Sequence, residues 1–333
     1  MRSAMTPDLL SMVRQTTLPE GVRLFRIGID VGGTFTDLVA VDDAGSTTIA
    51  KVPSTPDDPS RGVLDGLGQL AVALALDGPA FLRLTERIVH GTTVATNALL
   101  ERTGAKVGLL TTEGHRDIVE MREGLKDDRY NLRLPAPEPL VPRRLRLGVR
   151  ERTRADGRRE TPLDQASLAA AIEVLRRERV EAVAICYLHA WRDAGHERAS
   201  RDAVRAALPD VYVSLSSEVL PQIKEFERVS TTIVNTYVGP VLSRYLERLG
   251  RRLARAGYRG PILVIQSHGG VASIAEAGRL AAGAVLSGPA AGVAGSVHAA
   301  ALVGRREEGG DLIALDMGGT STDISLVVAG HPA

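Results

Sequence analysis

Two octapeptides near opposite ends of the chain carry the same chemistry. Asp30-Val31-Gly32-Gly33-Thr34-Phe35-Thr36-Asp37 and Asp316-Met317-Gly318-Gly319-Thr320-Ser321-Thr322-Asp323 agree at six of eight positions. A phosphate presents its charge on outer oxygens, which backbone N–H groups meet only at close range. Glycines have no Cβ, so a Gly-Gly turn permits that approach and a positive φ. Successive N–H groups in such a turn form an anion-binding concavity. Thr34 and Thr320 add hydroxyl donors. Asp30 and Asp316, at the strand ends feeding the turns, would repel a phosphate unless a cation lay between them. Mg²⁺ suits that place, because it binds through one or two carboxylates, phosphate oxygens and water. Asp37 and Asp323 are second candidates, with hairpin geometry as an equal explanation. The pattern predicts two grips facing each other across a polyphosphate.

Other phosphate motifs are excluded. No Gly-Lys-Ser/Thr follows either glycine pair, so neither is a P-loop. The glycines open a second strand rather than a helix, unlike a dinucleotide fingerprint.

The elements that must hold these turns follow from periodicity. Each octapeptide lies between two apolar runs, which reads as strand, tight turn, strand. Strands are predicted at 25–30, 37–42, 87–90, 106–111, 181–187, 211–215, 261–266, 311–316 and 323–328. Helices are predicted near 60–75, 93–102, 166–178, 194–207, 221–249, 273–281 and 289–303. The alternation indicates an α/β domain with a mixed or parallel sheet. Residues 121–160 break this rhythm with four prolines and many arginines, and Asp156-Gly157 marks a hairpin within them. The Ala- and Gly-rich run from Gly288 to Gly304 reads as a helix lying close on a sheet, not a membrane dimer motif. A domain boundary is expected near 217–222, ahead of the longest helical pattern.

Composition narrows the function classes. The 333 residues suffice for about two domains, with 44% apolar and 24% charged residues. A net charge of +1 and 3% aromatics leave no footprint for nucleic acid. No apolar run approaches the ~18 residues of a membrane span. Residues 1–22 lack a secretory apolar core and read as a loose extension. The single cysteine, Cys186, lies in an apolar run and forms no intrachain disulfide, which fits a reducing cytoplasm.

The paired hairpins resemble the two phosphate loops of the actin, sugar kinase and heat-shock chaperone ATPase superfamily, a ribonuclease H-like α/β fold. More specifically, the chain resembles the hydantoinase A/5-oxoprolinase family. The resemblance is carried by both octapeptides, by His90-Gly91-Thr92-Thr93-Val94-Ala95-Thr96-Asn97-Ala98-Leu99-Leu100, and by Gly108 to Asp117. It continues through Glu225-Phe226-Glu227-Arg228, Gln266-Ser267-His268-Gly269-Gly270 and Ser287-Gly288-Pro289-Ala290-Ala291-Gly292. Coverage begins near residue 24. It divides the chain into an extension (1–22), an N-terminal domain with the first loop (23–220), and the start of a second domain (221–333).

Members of that family continue for several hundred residues beyond the second hairpin. The resemblance therefore implies that these 333 residues form a partial subunit, with a hydantoinase B-like partner and an oligomeric assembly. It implies ATP and Mg²⁺ as cofactors and ATP-dependent hydrolysis of a cyclic amide of the hydantoin or 5-oxoproline type. A subunit of an acetone or acetophenone carboxylase is the alternative within enzymes. A non-catalytic remnant or assembly subunit is the alternative of another class. A chaperone-like or filament-forming ATPase fits less well, because of the His90–Asn97 and Glu113–Asp117 stretches.

By this resemblance Gly32, Gly33, Thr34, Thr36, Gly318, Gly319, Thr320, Thr322 and Thr92 hold the nucleotide. Asp30 and Asp316 are catalytic and position Mg²⁺ through water. His90, at a strand end, is the candidate to touch substrate or shuttle a proton, against a structural reading of equal weight. Thr92 or Thr93 would cap the following helix. His268 and Gln266 also end a strand, where open α/β sheets place ligands. Glu225, Glu227 and Arg228 read as structural.

Overall fold

The computed structural model describes residues 23–124, 128, 130–135, 137–302, 311–317 and 322–332. Its first sheet has six strands in the order β12-β11-β4-β1-β2-β3. These are β1 (Phe25–Val31), β2 (Phe35–Asp42), β3 (Thr47–Pro53), β4 (Thr85–Thr92), β11 (Ile262–Ile265) and β12 (Val271–Ser273). The central strands β1, β4 and β11 run parallel, and antiparallel strands flank them on both sides. A second sheet is parallel throughout, in the order β10-β9-β5-β6. It consists of β5 (Val107–Thr112), β6 (Arg146–Val149), β9 (Ala182–Cys186) and β10 (Tyr212–Leu215).

Period-two burial explains how β1 presents its acid. Phe25, Ile27, Ile29 and Val31 are buried, while Arg26 and Asp30 alternate onto the other face. β9 shows the opposite pattern, with Ala182 to Cys186 buried throughout, as a strand covered on both faces requires.

Seven helices follow the sequence pattern, and three short ones, beginning at Gly78, Ile118 and Ser216, lie outside it. They are α1 (Pro59–Ala73), α2 (Gly78–Arg83), α3 (Val94–Leu100), α4 (Ile118–Met121), α5 (Gln165–Arg177), α6 (Gly195–Ala207), α7 (Ser216–Val219), α8 (Glu225–Ala256), α9 (Ile274–Arg279) and α10 (Ser287–Leu302). Glu225 and Glu227 occupy the first turn of α8 and Arg255 its last, which complements the helix dipole. Gly257 ends it at φ 108°, where a side chain would be strained. α8 packs against α1 and α3 beside the first sheet and against β9 and β10 of the second. It buries Val229, Ile233, Leu242, Leu246 and Leu249 and so joins the two sheets into one core.

Several strands also depart from the sequence reading in presence or placement. β3 was not anticipated, because Lys51 and Pro53 dilute its pattern; pairing with β2 supplies what local propensity lacks. β6 lies in the arginine-rich stretch and is held by β5. The strands after α8 return to the first sheet: β11 pairs with β4, so residues beyond the expected boundary near 217–222 complete the earlier sheet. The hairpin at Asp156-Gly157 is present as β7 (Arg152–Thr153) and β8 (Arg159–Thr161), with Gly157 at φ 90°.

The second octapeptide lies in a three-stranded sheet of β13 (Leu312–Met317), β14 (Thr322–Val328) and β15 (His331–Pro332). Ile313, Leu315, Met317 and Ile324 expose apolar side chains there. The small residues of α10 let it contact β4 and β11 of the first sheet as well as β13 and β14. Among the described residues, no helix is long and apolar enough to cross a membrane.

Candidate functional site

Both hairpins place their aspartates in the same register. Asp30 pairs with Asp37 across β1–β2, and Asp316 pairs with Asp323 across β13–β14. All four carboxylates line one cavity of about 250 Å³, together with Gly32, Gly33, Thr34 and Lys51. Gly318, Gly319 and Thr320 lie outside the described residues. Thr322 is described; it pairs with Met317 at the mouth of its hairpin.

The first turn is organised to present donors. Gly32 N–H donates to the Phe35 carbonyl at 3.0 Å. Ser54, just after β3, donates its hydroxyl to the Gly32 carbonyl at 2.7 Å and its backbone N–H to the Thr34 carbonyl at 2.9 Å. The turn's carbonyls are thereby occupied. The N–H groups of Gly33 and Thr34 have no acceptor among the described residues. Neither Gly32 nor Gly33 takes a positive φ, contrary to expectation. Gly32 is needed for space instead: a Cβ there would meet the Phe35 carbonyl oxygen at 3.2 Å.

α10 brings the two hairpins together. Its start is stapled to the first sheet by Ser287, whose hydroxyl donates to the Thr92 carbonyl at 3.2 Å. Leu286 N–H adds a bond to Thr96 Oγ1 at 2.9 Å. One turn of helix then spans the site. A Cβ on Gly288 would lie 4.0 Å from Asp30 Oδ1, and one on Gly292 would lie 3.5 Å from Asp316 Oδ2. Larger residues would fill the space these carboxylates face. Gly91 gives Asp30 the same room from β4, where a Cβ would stand 3.2 Å from its Oδ1.

The electrostatics call for a cation. Partial burial first, then the charges of Asp37 and Asp316, push the Asp30 carboxyl above its ordinary range, although it keeps a solvent-exposed edge; Lys51 offsets part of this. Lys51 Nζ bonds both Asp37 oxygens, at 2.7 and 2.9 Å, and lies 4.8 Å over the Phe35 ring.

Three sequence candidates are placed away from this cavity. Thr36 is buried, with its hydroxyl 3.1 Å from Ser54 Oγ. Thr92 is buried and accepts from Val94 N–H at 3.3 Å. His90 is fully buried, with Nε2 2.8 Å from the Tyr245 hydroxyl on α8, and burial alone drives its pKa down to about 4. The imidazole is a neutral lock between β4 and α8, out of reach of a ligand in the cavity. Thr93 does not cap α3; its hydroxyl and its N–H both donate to the Val31 carbonyl, each at 3.1 Å. His268 Nδ1 accepts from Gly270 N–H within its own turn. Gln266 is buried, with its amide against backbone carbonyls.

Sequence reasoning missed Ser54 and the pairing of Gly288 with Gly292. The signal for the glycines was present in their i, i+4 spacing. Ser54 carries no such signal, since its partner is 22 residues away.

Comparison with known proteins decides the family. The model of the hydantoinase/oxoprolinase N-terminal region matches residues 26–208, and the hydantoinase/oxoprolinase model matches residues 228–333. The chain belongs to the hydantoinase/oxoprolinase family. It is 43% identical over 310 residues to caprolactamase subunit alpha of Pseudomonas jessenii, covering 92% of this chain and 44% of that protein. The crystal structure of that ATP-dependent caprolactamase superposes with a TM-score of 0.78, over 90% of this chain and 43% of that one. The nucleotide-free structure of acetone carboxylase, a protein of ATP-dependent acetone carboxylation, superposes with a TM-score of 0.85 at 29% identity, over 93% of this chain and 44% of that one. The 5-oxoprolinase of Saccharomyces cerevisiae is 30% identical across 90% of this chain and 25% of its own length. The fold is therefore the actin-like ATPase α/β fold of these hydantoinase/oxoprolinase relatives. The chain spans less than half the length of the curated relatives it matches.

Proposed function

We propose that this chain is the nucleotide-gripping part of a cytoplasmic, ATP-dependent enzyme that opens a cyclic amide. The observation that carries this reading is the pair of hairpins in identical register, with Asp30 and Asp316 facing one cavity beside the unused N–H groups of Gly33 and Thr34.

The residues fit Mg·ATP. A site with four carboxylates and one lysine repels a phosphate unless a cation enters with it. No three His, Cys, Asp or Glu side chains gather closely enough to hold a metal ion among the described residues. An ion held by two carboxylates and completed by phosphate oxygens and water is the habit of Mg²⁺. Asp30 and Asp316 would hold it, Gly33 and Thr34 would donate to phosphate oxygens, and Lys51 would neutralise charge at the rim. Bound Mg·ATP would supply a phosphoryl group to the amide carbonyl oxygen, leaving the carbon open to water.

This chain's own contribution is positioning and charge neutralisation, on which phosphoryl transfer mainly rests. Ser54 orients the turn, and Ser287 fixes α10 so that the two carboxylates converge. The partner that completes the enzyme would be a hydantoinase B-like subunit in an oligomer; the caprolactamase relative is itself named as a subunit.

A ketone carboxylase subunit is the second reading, favoured by the superposition on acetone carboxylase. Calorimetry with ATP and Mg²⁺ tests the common core. The expected outcome is binding that Asp30→Ala and Asp316→Ala each weaken strongly; unchanged binding in both variants would exclude it. ATP turnover stimulated by lactams, rather than by ketones with bicarbonate, then selects the amide reaction.

A further inference from the structure

The second sheet ends among polar atoms that the fold leaves unused. Eight buried side-chain nitrogen or oxygen atoms have no hydrogen-bond partner among the described residues. Five of them belong to His189, Trp191, Ser217 and Arg228, in the segments that follow β9 and β10 and at the start of α8. β9 and β10 are parallel, and these segments leave their carboxyl ends, where open α/β sheets bind ligands. The phosphate turn of β1 and β2 belongs to the first sheet, so this edge is a different place in the fold.

Arg228 is the centre of the group, and it is 1% exposed. Helix side chains lean toward the helix N-terminus. That of Arg228, the fourth residue of α8, reaches the end of β9, where Nη2 donates to the Tyr187 carbonyl at 2.8 Å. Its Nε and Nη1 have no acceptor among the described residues. A guanidinium keeps its charge when buried, and a buried charge without a counterion is costly.

α8 adds positive potential at the same point. Lys224 gives it no side-chain cap, and the N–H groups of Glu225, Phe226 and Glu227 have no acceptor among the described residues. The positive pole of a 32-residue helix thus lies beside the guanidinium. Ser217 belongs to α7, which packs against β9 and α8, and its buried hydroxyl is unpartnered.

The nearby carboxylates leave the guanidinium unanswered. Glu197 already accepts from Tyr187 N–H, Ser216 Oγ and Ser217 N–H. Glu227 pairs with Lys224 at 2.9 Å. Glu225 bonds neither of the free Arg228 nitrogens. Burial pushes the Cys186 thiol, at the end of β9, up to about 12; Arg228 opposes this, while Glu197 and Glu225 add to it, so all three charges lie near that strand end.

We propose that Arg228, Ser217 and the start of α8 bind a small monovalent carboxylate of the size of formate. The enclosure of the guanidinium selects a small anion. One cation near two carboxylates selects a single negative charge over two. The planar guanidinium matches a carboxylate better than a spherical ion. The inference does not depend on the nucleotide reading, which concerns the first sheet.

The test is thermal melting of the 333-residue chain at neutral pH and fixed ionic strength, with formate replacing gluconate, a carboxylate too bulky for the enclosed guanidinium. A ligand held only by the folded chain raises the melting temperature with the logarithm of its concentration. Formate should therefore raise it by a few degrees over gluconate, and chloride and phosphate by less. Arg228→Met should abolish the difference. Where loss of Arg228 unfolds the chain, Ser217→Ala carries the test: about fivefold more formate should be needed for the same rise, the worth of one neutral hydrogen bond. Equal melting in formate and gluconate overturns the proposal and leaves water at these nitrogens. Chloride or phosphate acting as strongly as formate overturns the carboxylate assignment. A formate response unchanged in the variants overturns the placement at Arg228 and Ser217.

Discussion

The Ser54 hydroxyl donates to the Gly32 carbonyl oxygen at 2.7 Å, which ties the Gly32–Gly33 turn to the end of β3. With the Gly32 and Thr34 carbonyls both tied to Ser54, the N–H groups of Gly33 and Thr34, which line the cavity, are left without an acceptor among the described residues. Ser54→Ala should cost about 1 kcal/mol of stability, the usual net worth of such a bond. It should also weaken Mg·ATP binding about fivefold, since a freed carbonyl can turn toward the phosphates. Denaturant unfolding and calorimetry read the two effects, and Ser54→Thr should restore most of both.

Asp30 predicts a pH-dependent cation site. Its carboxyl titrates above the ordinary value of 3.8, because burial, Asp37 and Asp316 all oppose its charge. Cation binding needs the ionised form, so Mg·ATP affinity should fall as pH drops into the acid range. Asp30→Asn should flatten that dependence and weaken Mg·ATP binding at neutral pH. Without Mg²⁺ the sign reverses: Asp30→Asn removes repulsion, and free ATP should bind better than to the wild type. The raised pKa also means that ionised Asp30 disfavours the folded state, so the variant should be at least as stable in thermal melts.

Gly292→Leu separates helix stability from site geometry. Leucine favours a helix over glycine by up to about 1 kcal/mol. Its side chain would occupy the space where Gly292 faces Asp316, 3.5 Å from a Cβ. The melting temperature should hold or rise, while Mg·ATP affinity falls at least tenfold. A variant that binds normally would show that α10 does not hold Asp316 against the nucleotide.

His90 predicts an acid transition that has nothing to do with catalysis. Its pKa falls from 6.5 to about 4 on burial. Between those values the unfolded chain takes up a proton that the folded chain rejects. The stability due to neutral His90 is therefore complete above pH 6.5 and declines as pH falls toward 4, by up to ~3 kcal/mol. His90→Gln should flatten this part of the stability curve, followed by urea unfolding at several pH values. Because His90 bonds Tyr245 rather than a ligand, nucleotide affinity should change little once both proteins are folded.

Glu197 is the most committed carboxylate outside the site. It is fully buried and accepts from Tyr187 N–H at 3.1 Å, Ser216 Oγ at 2.5 Å and Ser217 N–H at 2.9 Å. Glu197→Ala strands these donors and should cost roughly 3 kcal/mol or more in denaturant unfolding, with Glu197→Gln recovering part of it.

Local pattern was enough for the two hairpins, the helix starts and the family, because those depend on spacing within a few residues. Alternation along Phe25–Val31 already placed Asp30 on the face opposite Ile29. The octapeptide repeat already named both acids and both glycine pairs. Long-range packing decided where these residues lie and what they touch. His90 reads as chemistry in a strand-end motif, yet Tyr245, 155 positions later, buries it. Ser54 reads as loop, yet it orients a turn 22 residues earlier. β11 lies beyond an expected boundary, yet β4 offers it a parallel edge. Each outcome depends on which distant surface reaches a side chain first, and burial and hydrogen bonding across the sheet and α8 determine that. Residue type and spacing specified the paired acids and glycines; only the packing of α10 against β4 and β11 on one side and β13 and β14 on the other brought Asp30 and Asp316 to the same cavity.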